Sequence, residues 1–523
     1  MPPSLNSHLK TAVKGSTLIF TGTAASQLLW FFTKILIVRN TTTAEFGIYT
    51  LVLTVVAIFV AVAPLGVPLG VSRFVSIRWG EGKPEEANAF SRAGIQITLA
   101  TGLAAFVFLF FGAGPIARHV FYTPGLAGPL RMVSFLIPFS VCAATVAGIL
   151  IGRGIIGQRL LNDLLTPVFY MLLTLSAVFL HMRLIGILYA YIFSGVIISV
   201  LMAAYGFRKL GPSALLPRGG LGHRELFKFA APLLVSSVMF MVLTWSDTLM
   251  IGRYINAQAV GIYGVSVSLV KLLTFPLSAL SFVFLPIAGE MYAKRQTADL
   301  NRAYQVLTKW LFAATLPLFF VLFFFSRMSI TSLFGARFLP AAWPLRILAT
   351  GFMVNAFLGV NTLLLMVTGR TGTIMKISIA TGVANIALNY IFIKRLGMGM
   401  EGGALATMLS YILSKVISSV KLYRYDRLHP FSPSYLKPLA GAAVSGLIIY
   451  AVAKSLPLHF WMLPLYLLLF IAGYAASLLL TRSIEVEDLY MVERVFSRLG
   501  INPRRFLEAL SRFAPGLKNR MPV

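Results

Sequence analysis

Beginning near Ser16, the chain repeats one pattern: an apolar run of about 20 residues, then a short connection in which Lys and Arg collect. Runs of that length match a hydrocarbon core of about 30 Å, and few folds other than a bundle of membrane-crossing helices can bury them. We place spans near 16–38, 46–67, 93–111, 132–151, 160–180 and 184–207, then 227–251, 260–286, 307–325, 345–368, 374–393 and 402–422, with two more at 436–456 and 461–480. The expected fold class is an all-α polytopic membrane protein of about fourteen transmembrane helices. With 58% hydrophobic and 12% charged residues, the chain is too apolar for a soluble enzyme. Its first apolar run is long and lacks a small-residue cleavage site, so the first helix is read as retained.

The formal charge is +29, from 45 Lys and Arg against 16 Asp and Glu. In a soluble protein this would suggest nucleic acid. Here the excess gathers in alternate connections and in the tail, where it orients helices and meets anionic lipid. Most of it falls on one side if the N-terminus is cytoplasmic, so both termini are expected in the cytoplasm, with the protein in the plasma (inner) membrane. Cys142 is the single cysteine and lies in an apolar run, which leaves neither a disulfide framework nor a thiolate metal site. No HExxH, paired carboxylate or phosphate-loop pattern appears, and GRGIIG at Gly152 reads as a turn. The expectation is a non-enzyme with no catalytic residue, metal or cofactor.

The chain is also duplicated. The stretch 35–49, ILIVRNTTTAEFGIY, returns as 249–263, LMIGRYINAQAVGIY, with Arg39, Gly47 and Tyr49 answered by Arg253, Gly261 and Tyr263 at one offset (253 − 39, 261 − 47 and 263 − 49 all give 214). Gly186, Ala190 and Ser194 are answered by Gly402, Ala406 and Ser410 at nearly the same offset. Repeats of six helices enter the membrane in the same direction, as parallel repeats about an axis along its normal. The expected organisation is an N-terminal six-helix lobe at 1–208, a cytoplasmic linker at 209–225 and a C-terminal six-helix lobe at 226–423. Accessory helices at 436–480 and a cytoplasmic amphipathic tail at 481–523 follow, with a central cavity between the lobes. The connections 72–92 and 290–309 read as polar turns with helical segments at the inner interface.

A charge at the bilayer centre costs about 2.5 to 3.5 kcal/mol on insertion scales, so intramembrane ionisable residues are candidate site residues. Lys271 and Lys415 lie about 15 to 20 Å into their spans at ~1.5 Å per residue. A water-filled cavity is the preferred reading of both, and a lysine bonded to backbone carbonyls at a helix break is the alternative. Lys34 and Asp247 sit one position apart in the repeat, where an ion pair would lower the cost of each. Asp247 is the candidate coupling or ion-pair residue. Arg39 and Arg253 stand at the outer mouth, so the cavity reads as basic and suited to an anionic phosphate or pyrophosphate. Asn355, Asn361, Asn385 and Asn389 read as interhelical glue ahead of sugar ligands.

Three motifs, KILIVRNTTTAEFGIYTL, SDTLMIGRYINAQAVGIYGVSVSL and NIALNYIFIKRLGMGMEGGALATMLS, resemble the polysaccharide transporter family. These are the oligosaccharide or O-antigen type flippases of the multidrug/oligosaccharidyl-lipid/polysaccharide exporter superfamily. The resemblance implies two six-helix lobes around a cavity, two accessory helices, and translocation of a polyprenyl-(pyro)phosphate-linked oligosaccharide to the outer leaflet. It also implies a cationic cavity, which Lys34, Lys271 and Lys415 could supply. The lipid II branch carries a denser arginine set near its first helix, where this chain has Lys34 and Arg39. Expected partners are the polyprenyl-linked glycan and membrane lipid, not nucleic acid, with polysaccharide assembly proteins as candidate partners of the tail. The alternatives are a cation-coupled multidrug exporter, which would want more acids, and a membrane glycosyltransferase or polymerase, which would want a large acidic extramembrane loop.

Overall fold

A computed structural model describes residues 22, 25–155, 161–215, 222–431, 436–455 and 463–480. The start of the first expected span, the middle of the expected linker and the amphipathic tail at 481–523 lie outside the described residues. Among those described the secondary structure is helical throughout. The long elements are α1 (25–39), α2 (Thr43–Val62), α3 (Val67–Gly80), α4 (Pro84–Pro115), α5 (Ala127–Ser134), α6 (Leu136–Gly152), α7 (Thr166–Phe179) and α8 (Arg183–Leu210). After them come α9 (His223–Tyr254), α10 (Ala257–Val270), α11 (Phe275–Ala293), α12 (Thr297–Phe324), α13 (Ser326–Phe334), α14 (Ala342–Phe357), α15 (Asn361–Val367), α16 (Thr371–Asn389), α17 (Gly399–Asp426), α18 (Leu436–Ser455) and α19 (Leu463–Leu480). Among the described residues 8 helices are long and apolar enough to cross a membrane, or up to 10 if each bent pair is one span. This is a multi-pass membrane protein; the expected count of about fourteen spans is not reached on length and composition alone.

Two compact units divide the chain. One holds Gly22–Gly264 with Gly382–Gly403, the other Val265–Thr381 with the chain from Ala404 onward. In the first, α3, α4, α6 and α8 close around Val71, Val75, Ala93, Ile149, Leu150 and Met202. In the second, Tyr304, Leu307, Leu364 and Leu422 form one core, while Phe320 stacks on Phe470 at 4.5 Å and so ties α19 to α12.

The repeat is visible first as matched helix caps. Thr42 opens α2 with a capping box: its hydroxyl accepts from the Glu45 amide (3.2 Å) while the Glu45 carboxylate accepts from the Thr42 amide (2.8 Å). At the equivalent place Asn256 opens α10, its side-chain oxygen accepting from the Ala259 amide at 2.8 Å. The polar connections have the expected form, short turns between helical segments. Helix α3 runs to Gly80 and α4 begins at Pro84, so 72–92 is mostly two helix ends joined by a turn. Its partner at 290–309 has the same form, α11 ending at Ala293 and α12 starting at Thr297. Lys309, which falls at the edge of that connection, is buried inside α12.

Candidate functional site

The site residues are best built from the two repeat hairpins, because both lie in the first unit. A Cβ on Gly47 would sit 1.6 Å from the Ala257 carbonyl oxygen, and one on Gly261 would sit 2.2 Å from the Thr43 carbonyl oxygen. The opening turns of α2 and α10 therefore touch backbone to backbone, an approach that no side chain would permit. This contact holds together the opening turns of α2 and α10, which follow directly on the ends of α1 and α9 where Arg39 and Arg253 lie.

Asp247 is buried in α9, only 4% exposed. Its Oδ2 accepts from the Tyr263 hydroxyl at 2.6 Å, and its Oδ1 accepts from the Thr248 amide at 2.7 Å. Tyr263 is the repeat tyrosine of α10 and is wholly buried, so the motif supplies the donor for the one acid that the sequence places deep in a span. Lys34 is half-buried in α1, its Nζ 5.8 Å from the centroid of Phe46. Phe46 in turn stacks on Tyr49 at 5.8 Å, so the lysine lies beside the first copy of the same motif.

Arg39 is exposed at the end of α1. Arg253 lies in the last turn of α9, its guanidinium 4.3 Å from the Tyr122 ring, a distance at which ring and cation attract. Sequence reasoning missed the company it keeps. Lys394 lies 5.3 Å from the Tyr254 ring and 5.1 Å from the Tyr390 ring, and Arg395 lies 5.9 Å from Tyr390. Their sequence signal is only the IKR that ends the π-helical turn Tyr390–Arg395 after α16, which does not reveal that Tyr254 and Tyr390 come within 6.2 Å.

The two deeper lysines fall in the second unit and are held differently. Lys271 begins a 3-10 turn, Lys271–Thr274, ahead of Pro276, and its side chain is exposed. Lys415 donates to the Gly359 carbonyl at 3.0 Å and to the Asn361 side-chain oxygen at 3.2 Å. Gly359 has φ +71 and marks a 42° bend between α14 and α15, where the helix leaves carbonyls without intrahelical donors. Thus Lys415 takes the carbonyl-bonded arrangement at a helix break that the sequence offered as its alternative reading. Asn361 also donates to the Lys415 carbonyl and the Ser419 hydroxyl. Asn385 accepts from Ser246, and Asn389 donates to Ser246 (3.4 Å) and to the Asn385 carbonyl (3.0 Å). These three asparagines bond to neighbouring helical residues, as glue would. Asn355 and Asn389 each keep a side-chain oxygen buried without a hydrogen bond among the described residues.

Residues 12–292 match the family model described as "Polysaccharide biosynthesis protein", and residues 232–391 match the model described as MatE. Lipid II flippase MurJ of Bacillus subtilis is 25% identical over 423 residues, covering 70% of this chain and 74% of its own. The probable low-salt glycan biosynthesis flippase Agl15 of Haloferax volcanii is 24% identical over 218 residues, 42% of this chain and 46% of its own. Among solved structures, lipid II flippase MurJ in an inward closed conformation superposes with a TM-score of 0.68 at 16% identity, covering 88% of this chain and 97% of that one. The two chains share a fold.

Proposed function

Because the chain belongs to the polysaccharide biosynthesis protein family, we propose that it is a flippase for a polyprenyl-(pyro)phosphate-linked oligosaccharide. It carries the glycan from the cytoplasmic to the outer leaflet of the plasma (inner) membrane by alternating access, with both termini cytoplasmic. Names of relatives support this reading: one moves lipid II and another serves glycan biosynthesis. The observation that carries it is the charge asymmetry of the repeat corner. Lys34, Arg39 and Arg253 stand there with Lys394 and Arg395 nearby, while Asp247 is buried and already bound by Tyr263. Where water is scarce, guanidinium and ammonium groups bind phosphate oxygens strongly and do not discriminate among sugars.

In this reading Lys34, Arg39 and Arg253 in the first unit and Lys271 in the second each contact the (pyro)phosphate during transport, Lys415 stays bonded to the Gly359 carbonyl, and Asp247 is the coupling or ion-pair residue. The tail at 481–523 would engage polysaccharide assembly proteins. The Gly47–Gly261 approach acts as a closed contact between the repeat hairpins that must part when the outer side opens. A second reading, a cation-coupled multidrug exporter, is favoured by one observation, the MatE match across the helix that carries Asp247.

The deciding experiment is the lipid-linked glycan pool in cells lacking the protein, split into inner-facing and outer-facing fractions by mass spectrometry. Accumulation of a completed polyprenyl-linked oligosaccharide on the inner face, reversed by the native gene but not by the Lys34 and Lys271 double Ala variant, is expected. An unchanged pool with altered sensitivity to cationic drugs would replace the flippase with the exporter. The swap Lys34→Asp with Asp247→Lys tests proximity, since rescue of the two single variants requires the groups to meet.

A further inference from the structure

A second repeated motif leads to a different place. AGPLR at 127–131 returns as AWPLR at 342–346, with Ala, Pro, Leu and Arg in register. Leu130 and Leu345 are both fully buried, and both arginines reach back over the end of the preceding long helix. Arg131 lies 3.6 Å from where a Cβ on Gly114 would stand, near the end of α4. Arg346 donates from Nε to the Phe323 carbonyl (3.0 Å) and the Ser326 hydroxyl (2.8 Å), at the end of α12. The shared part is an arginine lying over the end of the preceding long helix; in the second copy it also satisfies a carbonyl that the helix C-terminus leaves open.

What the second copy adds is a pocket. It has a volume of about 240 Å³ and is lined by Arg327, Leu339, Pro340, Ala342, Trp343 and Arg346. Trp343 stands where the first copy has Gly128, and it is 60% exposed. The Arg346 guanidinium lies 5.1 Å from the Trp343 ring. Because both Arg346 bonds use Nε, the side chain is held in place while its two terminal nitrogens make no hydrogen bond among the described residues. Arg327 is exposed, and its guanidinium has no ion pair among the described residues. No Asp or Glu occurs in the sequence between Asp299 and Glu401.

An exposed tryptophan alone would suit a membrane-interface belt. A tryptophan stacked on an arginine that is itself pinned, facing a second arginine with no acid in the surrounding sequence, has the form of an oxyanion site. A fixed guanidinium fork matches two oxygens of a phosphate at once, and its ordering is already complete before the ligand arrives.

We propose that this pocket binds a phosphate group, as a monoester or diester. Two sources share that chemistry, the headgroup of an anionic lipid and a phosphate borne by a soluble glycan or polyol. The site shares no residue with the repeat-hairpin charges, and its test does not depend on transport.

The test is isothermal titration calorimetry of the full chain in detergent with two probes, dioctanoyl phosphatidylglycerol and glycerol 1-phosphate. Arg327→Ala should weaken binding about tenfold, the scale of one charge-assisted hydrogen bond, and Arg327→Glu should abolish it. Neither change should lower the melting temperature, because Arg327 supports no other group. Trp343→Ala should weaken binding while leaving the Arg346 anchor intact. Binding of the short-chain lipid alone identifies a headgroup site; equal binding of glycerol 1-phosphate identifies a soluble phosphate site. The proposal is overturned if the native protein binds neither probe, or if Arg327→Glu binds as the native protein does.

Discussion

The two copies of the GIY hairpin keep one scaffold and give it two chemistries. In both, a side-chain oxygen caps the second helix, Thr42 for α2 and Asn256 for α10. In both, the glycine admits backbone contact and the tyrosine is buried. The tyrosines then diverge. Tyr49 shares a hydrogen bond with the Tyr170 hydroxyl at 2.8 Å, neutral on both sides, whereas Tyr263 donates to the Asp247 carboxylate at 2.6 Å. The preserved parts satisfy backbone and packing demands that any such hairpin has. The divergent part decides where a charge can be kept inside the membrane, so function is to be sought where the copies differ.

The strongest blow to that comparison is at the shared glycines. Gly47→Leu or Gly261→Leu forces a side chain into the opposing carbonyl, and we expect a loss of more than about 4 kcal/mol, seen as failure to recover monodisperse protein by size exclusion. A normal yield and melting temperature would mean that the two hairpins do not meet. Next is Asp247→Ala, which removes the buried charge and strands the Tyr263 hydroxyl. Glycan export should be lost, with a stability cost of about 2 kcal/mol read from the melting curve. Asp247→Asn, which can still accept from Tyr263, should recover most of the stability and none of the export.

The tyrosines themselves give the most direct contrast. Tyr263→Phe should cost about 2 kcal/mol, as for a hydrogen bond to a charged group, and Tyr49→Phe about 1 kcal/mol, as for a neutral one. Equal losses would remove the distinction between the copies. The smallest effect lies at the polar turns. Arg78 bonds Glu81 at 2.9 Å and Glu86 at 3.2 Å, while in the counterpart turn Lys294 bonds Glu290 at 2.8 Å. The hydrogen bond from Arg78, aided by its charge, holds the Glu81 carboxyl below its ordinary range. A lowered folded pKa contributes stability above the ordinary carboxylate value and loses it as pH falls through the folded one. Hydrogen exchange at 78–86, corrected for intrinsic rates, should therefore rise on acidification below about pH 4. Protection that is flat with pH would assign that turn to its helix ends alone.

Much of this was legible beforehand. The apolar runs follow from hydropathy and the repeated motif from identities at a fixed offset, whereas the caps at Thr42 and Asn256 emerged only with the structure. The AWPLR repeat was equally open to inspection, but short Pro- and Leu-containing matches carry little weight until both arginines are seen over helix ends. The bend at Gly359 carries no proline to announce it in the sequence. The sites of Lys394, Arg395 and Trp343 were not legible at all, since their aromatic and cationic neighbours come from other turns or other helices.

By itself the sequence determined that this is a helical membrane protein with a repeated hairpin motif, because hydropathy and short motifs act over one or two helical turns, and three of those motifs carried the resemblance to the polysaccharide transporter family. Only the tertiary structure decided which charge meets which partner: Asp247 with Tyr263, Lys415 with the Gly359 carbonyl, Arg346 with the end of α12. Such bonds are set by which helix faces pack together over long sequence separations, and in a low-dielectric interior each buried charge is committed to whatever donor or carbonyl the packing brings within about 3 Å.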